Sequence, residues 1–166
     1  MIGSGVRRLN HVAVTVADMD RALAFWAGAL GLELDGRGTV RYAHLDRIVG
    51  LDDTEIEWAE LRIPGGGIIE LFHYHSPAGQ PTHHAPNDPG ATHVCLEVDG
   101  LDTITSSLQQ AGYTTRSASP VTIPFGSWKG WRDLYVESPD GVIVELTEPP
   151  PTARPESLDP NVGETS

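Results

Sequence analysis

The sequence predicts an α+β fold made of two tandem βαβββ modules, residues 1–80 and 81–149, with an extended or disordered tail at 150–166. Three observations carry this prediction: an internal repeat, strands that alternate apolar and polar residues, and glycine- and proline-rich turns between them. "PGGGIIEL" at 64–71 aligns with "PDGVIVEL" at 139–146, which makes Glu70 and Glu145 equivalent. "HVAVTVADMD" at 11–20 aligns with "HVCLEVDGLD" at 93–102, which does the same for His11 and His93. From the histidine to the glutamate is 59 residues in one copy and 52 in the other, so one unit is duplicated with small changes of loop length.

Each copy begins with an alternating strand, His11–Val16 or His93–Val98. A helical stretch follows, "DMDRALAFWAGAL" or "DGLDTITSSLQQAG", with Gly31 and Gly112 as stops. Three strands complete the first copy: "LELDGRG" onward, "IEWAELRI" at 56–63 and "GIIELFHY" at 67–74. In the second they are a weak "TTRSAS", then "RDLYVES" at 132–138 and "VIVELTE" at 142–148. Tight hairpins suit the turns "PGGG" and "SPDG", where glycine supplies positive φ.

A strand turns successive side chains to opposite faces. Val12, Val14 and Val16, like Val94, Leu96 and Val98, are therefore expected against the helices, with Leu23, Phe25 and Trp26 as contacts. The other faces carry His11 with Glu70, and His93 with Glu145. Two carboxylates about 5 Å apart repel by roughly 3 kcal/mol at an effective dielectric of 20. A divalent cation reverses that sign, and imidazole nitrogen with carboxylate oxygen suits Zn, Fe, Ni, Co or Mn. His11, Glu70, His93 and Glu145 are accordingly read as metal ligands.

Composition narrows the partners. The formal charge of −12 argues against nucleic acid or an anionic membrane, leaving a small molecule as the expected partner. The single cysteine, Cys95, excludes an internal disulfide framework, and no apolar run approaches a membrane span; a cytoplasmic protein is expected. Arg37, Arg41 and Arg47 are read as a solvated loop rather than an anion site, and Asp52, Asp53 and Glu55 as a solvated turn. Phe72, Tyr74, Trp58, Trp128 and Trp131 are aromatic candidates for a pocket. "TIPFGSWKGWRD" at 122–133 is a glycine-punctuated loop that can close over it, with Lys129 or Arg132 meeting a substrate anion. "HYHSPAGQPTHHAPNDPG", with His73, His75, His83 and His84, is read as a linker between modules and not as a second metal site.

"LNHVAVTVADMDRALAFW", "GGIIELFHYHSP", "NDPGATHVCLEV" and "SPDGVIVELTEP", in order and over residues 8–149, resemble the vicinal oxygen chelate superfamily, which includes glyoxalase I, methylmalonyl-CoA epimerase, extradiol dioxygenases and bleomycin resistance proteins. The resemblance implies a cupped mixed sheet around one metal, liganded by His11, Glu70, His93 and Glu145. It also implies a homodimer, with the centre inside one chain or across the interface. A chelated substrate would pass through an enolate or enediolate, and Glu145 or Glu70 would loosen to act as the catalytic base. Phe72, Trp128, Lys129 and Arg132 are the substrate-binding candidates. An isomerase, epimerase or lyase leads; an Fe(II) extradiol-type dioxygenase and a metal-free binding or resistance protein are the alternatives.

Overall fold

The computed structural model describes residues 5–82 and 84–151. The expected tail, beyond its first two prolines, and His83 lie outside the described residues. The chain divides into two compact units: Met1–Thr92 with Ser138–Val142, and His93–Glu137 with Ile143–Ser166.

In the first unit β1 (Val12–Thr15) leads into helix α1 (Met19–Leu23), which continues as a π-helical turn over Ala24–Ala29. Then come β2 (Glu33–Val40), helix α2 (Ala43–Val49), β3 (Glu55–Arg62) and β4 (Ile68–Ser76). The sheet order is β1-β4-β3-β2, with β1 parallel to β4 and the other pairs antiparallel. Asp18 starts α1 by accepting from the backbone N–H of Arg21 at 2.9 Å. The apolar face of this helix buries Met19, Ala22, Phe25 and Trp26 over Val14, Ile69 and Leu71 of the sheet. Helix α2 was not expected from the sequence. It ends at Gly50, whose φ of 71° suits a residue without Cβ.

The second unit repeats the plan with β5 (His93–Glu97), helix α3 (Leu101–Gln110), β6 (Val121–Thr122), β7 (Arg132–Glu137) and β8 (Ile143–Glu148). Its order, β5-β8-β7-β6, is the same, with β5 parallel to β8. Leu101 and Leu108 of the helix are buried, as are Leu134, Val136, Val144 and Leu146 of the sheet. The expected strand at "TTRSAS" is absent: Thr115 makes a single bridge to Val136, and the edge strand is the two-residue β6. The serine and threonine hydroxyls explain this, because Thr115 and Ser117 donate to the carbonyls of Ser117 and Ser119 and curl the segment into turns.

Among the described residues no helix is long and apolar enough to cross a membrane.

Candidate functional site

In the first unit Glu70 projects from mid-β4, and the ladder sets it beside Ala13 of β1 and Glu60 of β3. His11 stands immediately before β1, with Nε2 3.4 Å from Glu70 Oε2. Loss of hydration on burial pushes the Glu70 carboxyl above its usual range; His11 opposes this shift and the facing Glu60 adds to it. The second unit reproduces the pair with His93 Nε2 3.0 Å from Glu145 Oε2. Here the neighbours are Cys95 and Tyr135.

Both glutamates are mostly covered, with side chains 16% and 18% exposed, whereas the histidines are 42% and 47% exposed. Each pair therefore keeps its imidazole open to a ligand while its carboxylate is held in the sheet. Neutral imidazole and carboxylate are donors suited to a divalent first-row metal. Burial pushes the Cys95 thiol up to about 12, with Glu145 the next cause and the carboxylates of Asp133 and Glu97 adding to it. Tyr135 is raised likewise, first by burial and then by Glu145. Both groups stay protonated at neutral pH.

A cavity adjoins each glutamate. That of the first unit, about 310 Å³, is bounded by Trp58, Glu60, Glu70, Phe72 and Tyr74 and by Leu45, Ile48 and Val49 of α2. Trp58 lies across Gly36 and Gly38, where a Cβ would meet its ring at 3.2 Å, so the two glycines let the indole lie flat on β2. The cavity of the second unit, about 450 Å³, is bounded by Cys95, Glu97, Ile123, Trp128, Trp131, Asp133, Glu145 and Thr147. Trp128 and Trp131 meet edge to face with ring centres 4.6 Å apart. Thr147 donates to Asp133 at 2.6 Å across the ladder.

Phe72 and Trp128 thus border cavities, as do Trp58, Tyr74 and Trp131. Lys129 does not. Arg132 corrects the expectation of an anion-binding group: its guanidinium is held by Glu148 at 2.9 Å and Asp102 at 2.5 Å, on the helix side of the sheet. A one-residue step along a strand changes the face, so Asp133 takes the position facing the cavity. Of the arginines read as a loop, Arg47 lies in α2 and the other two are likewise spent in ion pairs. Arg37 sits in β2 and binds Asp20 and Glu57, while Arg41 binds Asp53 and Glu55.

The periodicity of single strands did not single out Glu60 and Tyr135. The alternation in "IEWAEL" and "RDLYVE" places each on the correct face, but only the register brings it opposite Glu70 or Glu145. His73 and His75 are strand residues of β4, not part of a linker.

The duplicated sheets and paired His–Glu positions define a class of protein, and comparison with known sequences identifies it. Residues 8–146 match the Glyoxalase/Bleomycin resistance protein/Dioxygenase superfamily, and the chain belongs to that family. It is 30% identical over 153 residues to a 2-epi-5-epi-valiolone epimerase of Actinomyces, covering 88% of this chain and 81% of the relative. It is 28% identical over 145 residues to a lactoylglutathione lyase of Salmonella typhimurium, covering 85% and 92%. The solved structure of a glyoxalase family protein from Bacillus cereus superposes with a TM-score of 0.77 at 25% identity, covering 89% of this chain and 97% of that one.

Proposed function

We propose that this protein is a metal-dependent isomerase, epimerase or lyase acting on a small oxygenated metabolite, with His11, Glu70, His93 and Glu145 as the protein ligands of a divalent transition metal. The observation that carries the reading is the repeated pair: an open imidazole 3.4 Å or 3.0 Å from a covered glutamate, on the sheet face away from α1 in the first unit and away from α3 in the second. Similarity to an epimerase and a lyase supports the reaction type. When bound, the metal supplies Lewis-acid stabilisation of negative charge developing on a substrate oxygen.

The remaining chemistry belongs to the chain. Glu70, loosened from the metal, is one candidate proton acceptor, since burial already disfavours its charge in the metal-free chain. It takes a proton from the carbon beside a substrate carbonyl and can return it. Glu145 is the alternative base in the second unit, where protonated Tyr135 and Cys95 beside it serve as donors and not as nucleophiles. Phe72 lines the cavity beside Glu70, and the Trp128–Trp131 pair lines the one beside Glu145, so each glutamate has an apolar wall next to it.

The test has two readouts. Protein purified without added metal or chelator is subjected to elemental analysis beside His93→Ala, which is expected to hold about one transition-metal equivalent less per chain. The native protein is then incubated with small 2-oxo and 2-hydroxy carbonyl compounds in heavy water, and deuterium incorporation next to the carbonyl is followed. A metal content unaffected by His93→Ala would remove the ligand assignment. Iron content together with oxygen consumption on a catechol would move the reaction to the dioxygenase class.

A further inference from the structure

A second cluster of ligand-type side chains lies on the other face of the first sheet. Register places Glu57 of β3 opposite His73 of β4, and the ladder shifts between Glu55 and Ile56, next to His75. Glu57 Oε2 is 3.6 Å from His73 Nδ1 and 3.6 Å from His75 Nε2. Donor atoms of the three residues lie within 4.8 Å of one another. The same alternation puts Trp58, Glu60, Glu70, Phe72 and Tyr74 on the cavity side, so this cluster shares no residue with the His–Glu pairs.

The geometry is that of ligands short of a centre. At 3.6 Å neither imidazole hydrogen-bonds to the oxygen it approaches. Ligands held tetrahedrally about 2.0–2.1 Å from a zinc ion stand about 3.3 Å apart, so the two Glu57–His distances need to close by a few tenths of an ångström, while the imidazoles, within 4.8 Å of each other, are brought together by side-chain rotation. The other carboxylate oxygen, Oε1, accepts from Arg37 Nε at 2.7 Å, and Arg37 also reaches Asp20 at 2.7 Å. Arg37 thereby fixes the carboxylate and leaves Oε2 free for a metal, as outer partners of metal ligands do. Asp20 offsets the charge of Arg37, so Glu57 leaves the cluster with one net negative charge, favourable to a divalent cation. Two imidazoles with one carboxylate favour zinc and its late first-row neighbours over magnesium or calcium. Side chains 27%, 40% and 15% exposed for His73, His75 and Glu57 leave a path for the ion and a position for water.

We propose that Glu57, His73 and His75 form a second binding site for zinc or a zinc-like divalent ion, on the α1 side of the first sheet and independent of His11, Glu70, His93 and Glu145. The test uses the full chain carrying His11→Ala and His93→Ala, titrated with zinc by calorimetry and with cobalt by visible absorption. About one equivalent is expected to bind, with the intense absorption of four-coordinate cobalt. Adding His73→Gln and His75→Gln is expected to weaken binding about 100-fold and abolish that absorption. Circular dichroism verifies folding, and if the quadruple variant is unfolded, Glu57→Gln in the same background replaces it and is expected to weaken zinc at least tenfold, consistent with loss of a charged ligand. Failure of the parent to bind zinc or cobalt, or unchanged affinity in a folded variant, would overturn the site.

Discussion

The two units share strand order, register and a His–Glu pair, yet they surround the glutamate differently. Glu70 faces a second carboxylate, Glu60, and has Ala13 alongside; Glu145 faces Tyr135 and has Cys95 alongside. Burial and like charge raise the Glu70 carboxyl, whereas the carboxylate of Glu145 helps to raise the weak acids next to it. Duplication has kept the ligand types and changed their electrical surroundings. A framework of backbone hydrogen bonds tolerates this because side-chain identity on the open face does not alter the ladder.

The largest expected difference is chemical reactivity. A thiol pushed up to about 12 holds little thiolate at neutral pH, so Cys95, although exposed, is expected to alkylate with iodoacetamide about 30- to 100-fold more slowly than an ordinary cysteine, the greater nucleophilicity of its thiolate offsetting part of the loss. Mass spectrometry of timed samples checks this, and Glu145→Gln is expected to accelerate it; an ordinary rate would erase the contrast between the units. Next comes metal retention. If the proposed ligands hold a metal, His11→Ala and His93→Ala are each expected to weaken its binding by about 100-fold or more, read by competition with a chelator. Unequal losses would distinguish the two His–Glu pairs.

Smaller effects concern the first unit alone. Gly38→Ala brings a Cβ against the Trp58 ring and is expected to cost about 1–3 kcal/mol in denaturant unfolding, since the indole must tilt. The ionised form of Glu70 is disfavoured in the folded state, so its raised pKa contributes stability only where the group is protonated. That contribution is present below the unfolded value and lost as pH rises through the folded one. In metal-free protein Glu70→Gln is therefore expected to raise the melting temperature at pH 7, with the gain fading toward about pH 4. The same gain at both pH values would remove Glu70 as its source.

Most of the framework was legible in the sequence because strand alternation and turn glycines are local signals, and duplication allowed each copy to corroborate the other. Helix α2 was missed although Leu45, Ile48 and Val49 have helical spacing, because Tyr42 at its start provides no side-chain cap and the segment is short. The ligand-type residues of the pairs were readable from their repetition. Glu60, Tyr135 and the grouping of Glu57 with His73 and His75 depend on which residue of one strand lies opposite which of another, and register comes from the pairing of distant segments. Arg132 was misplaced although its strand was bounded correctly: alternation from the buried Leu134 puts Arg132 on the helix face, and reading it as the end of a loop ignored that face.

One difference between the helices bears on the order in which the units assemble. Asp18 caps α1 from within three residues, whereas the first turn of α3 has its N–H groups at Gly100 and Leu101 bound by Glu148, almost fifty positions later in the chain. Helix α1 has its cap from local contacts alone, while the N–H groups at the start of α3 gain theirs only when the last strand arrives, and closing so long a loop is slow. In refolding followed by pulsed amide exchange, protection of Ala22 is expected before that of Gly100. The cap of α3 is thus completed only with the strand that also bears Glu145.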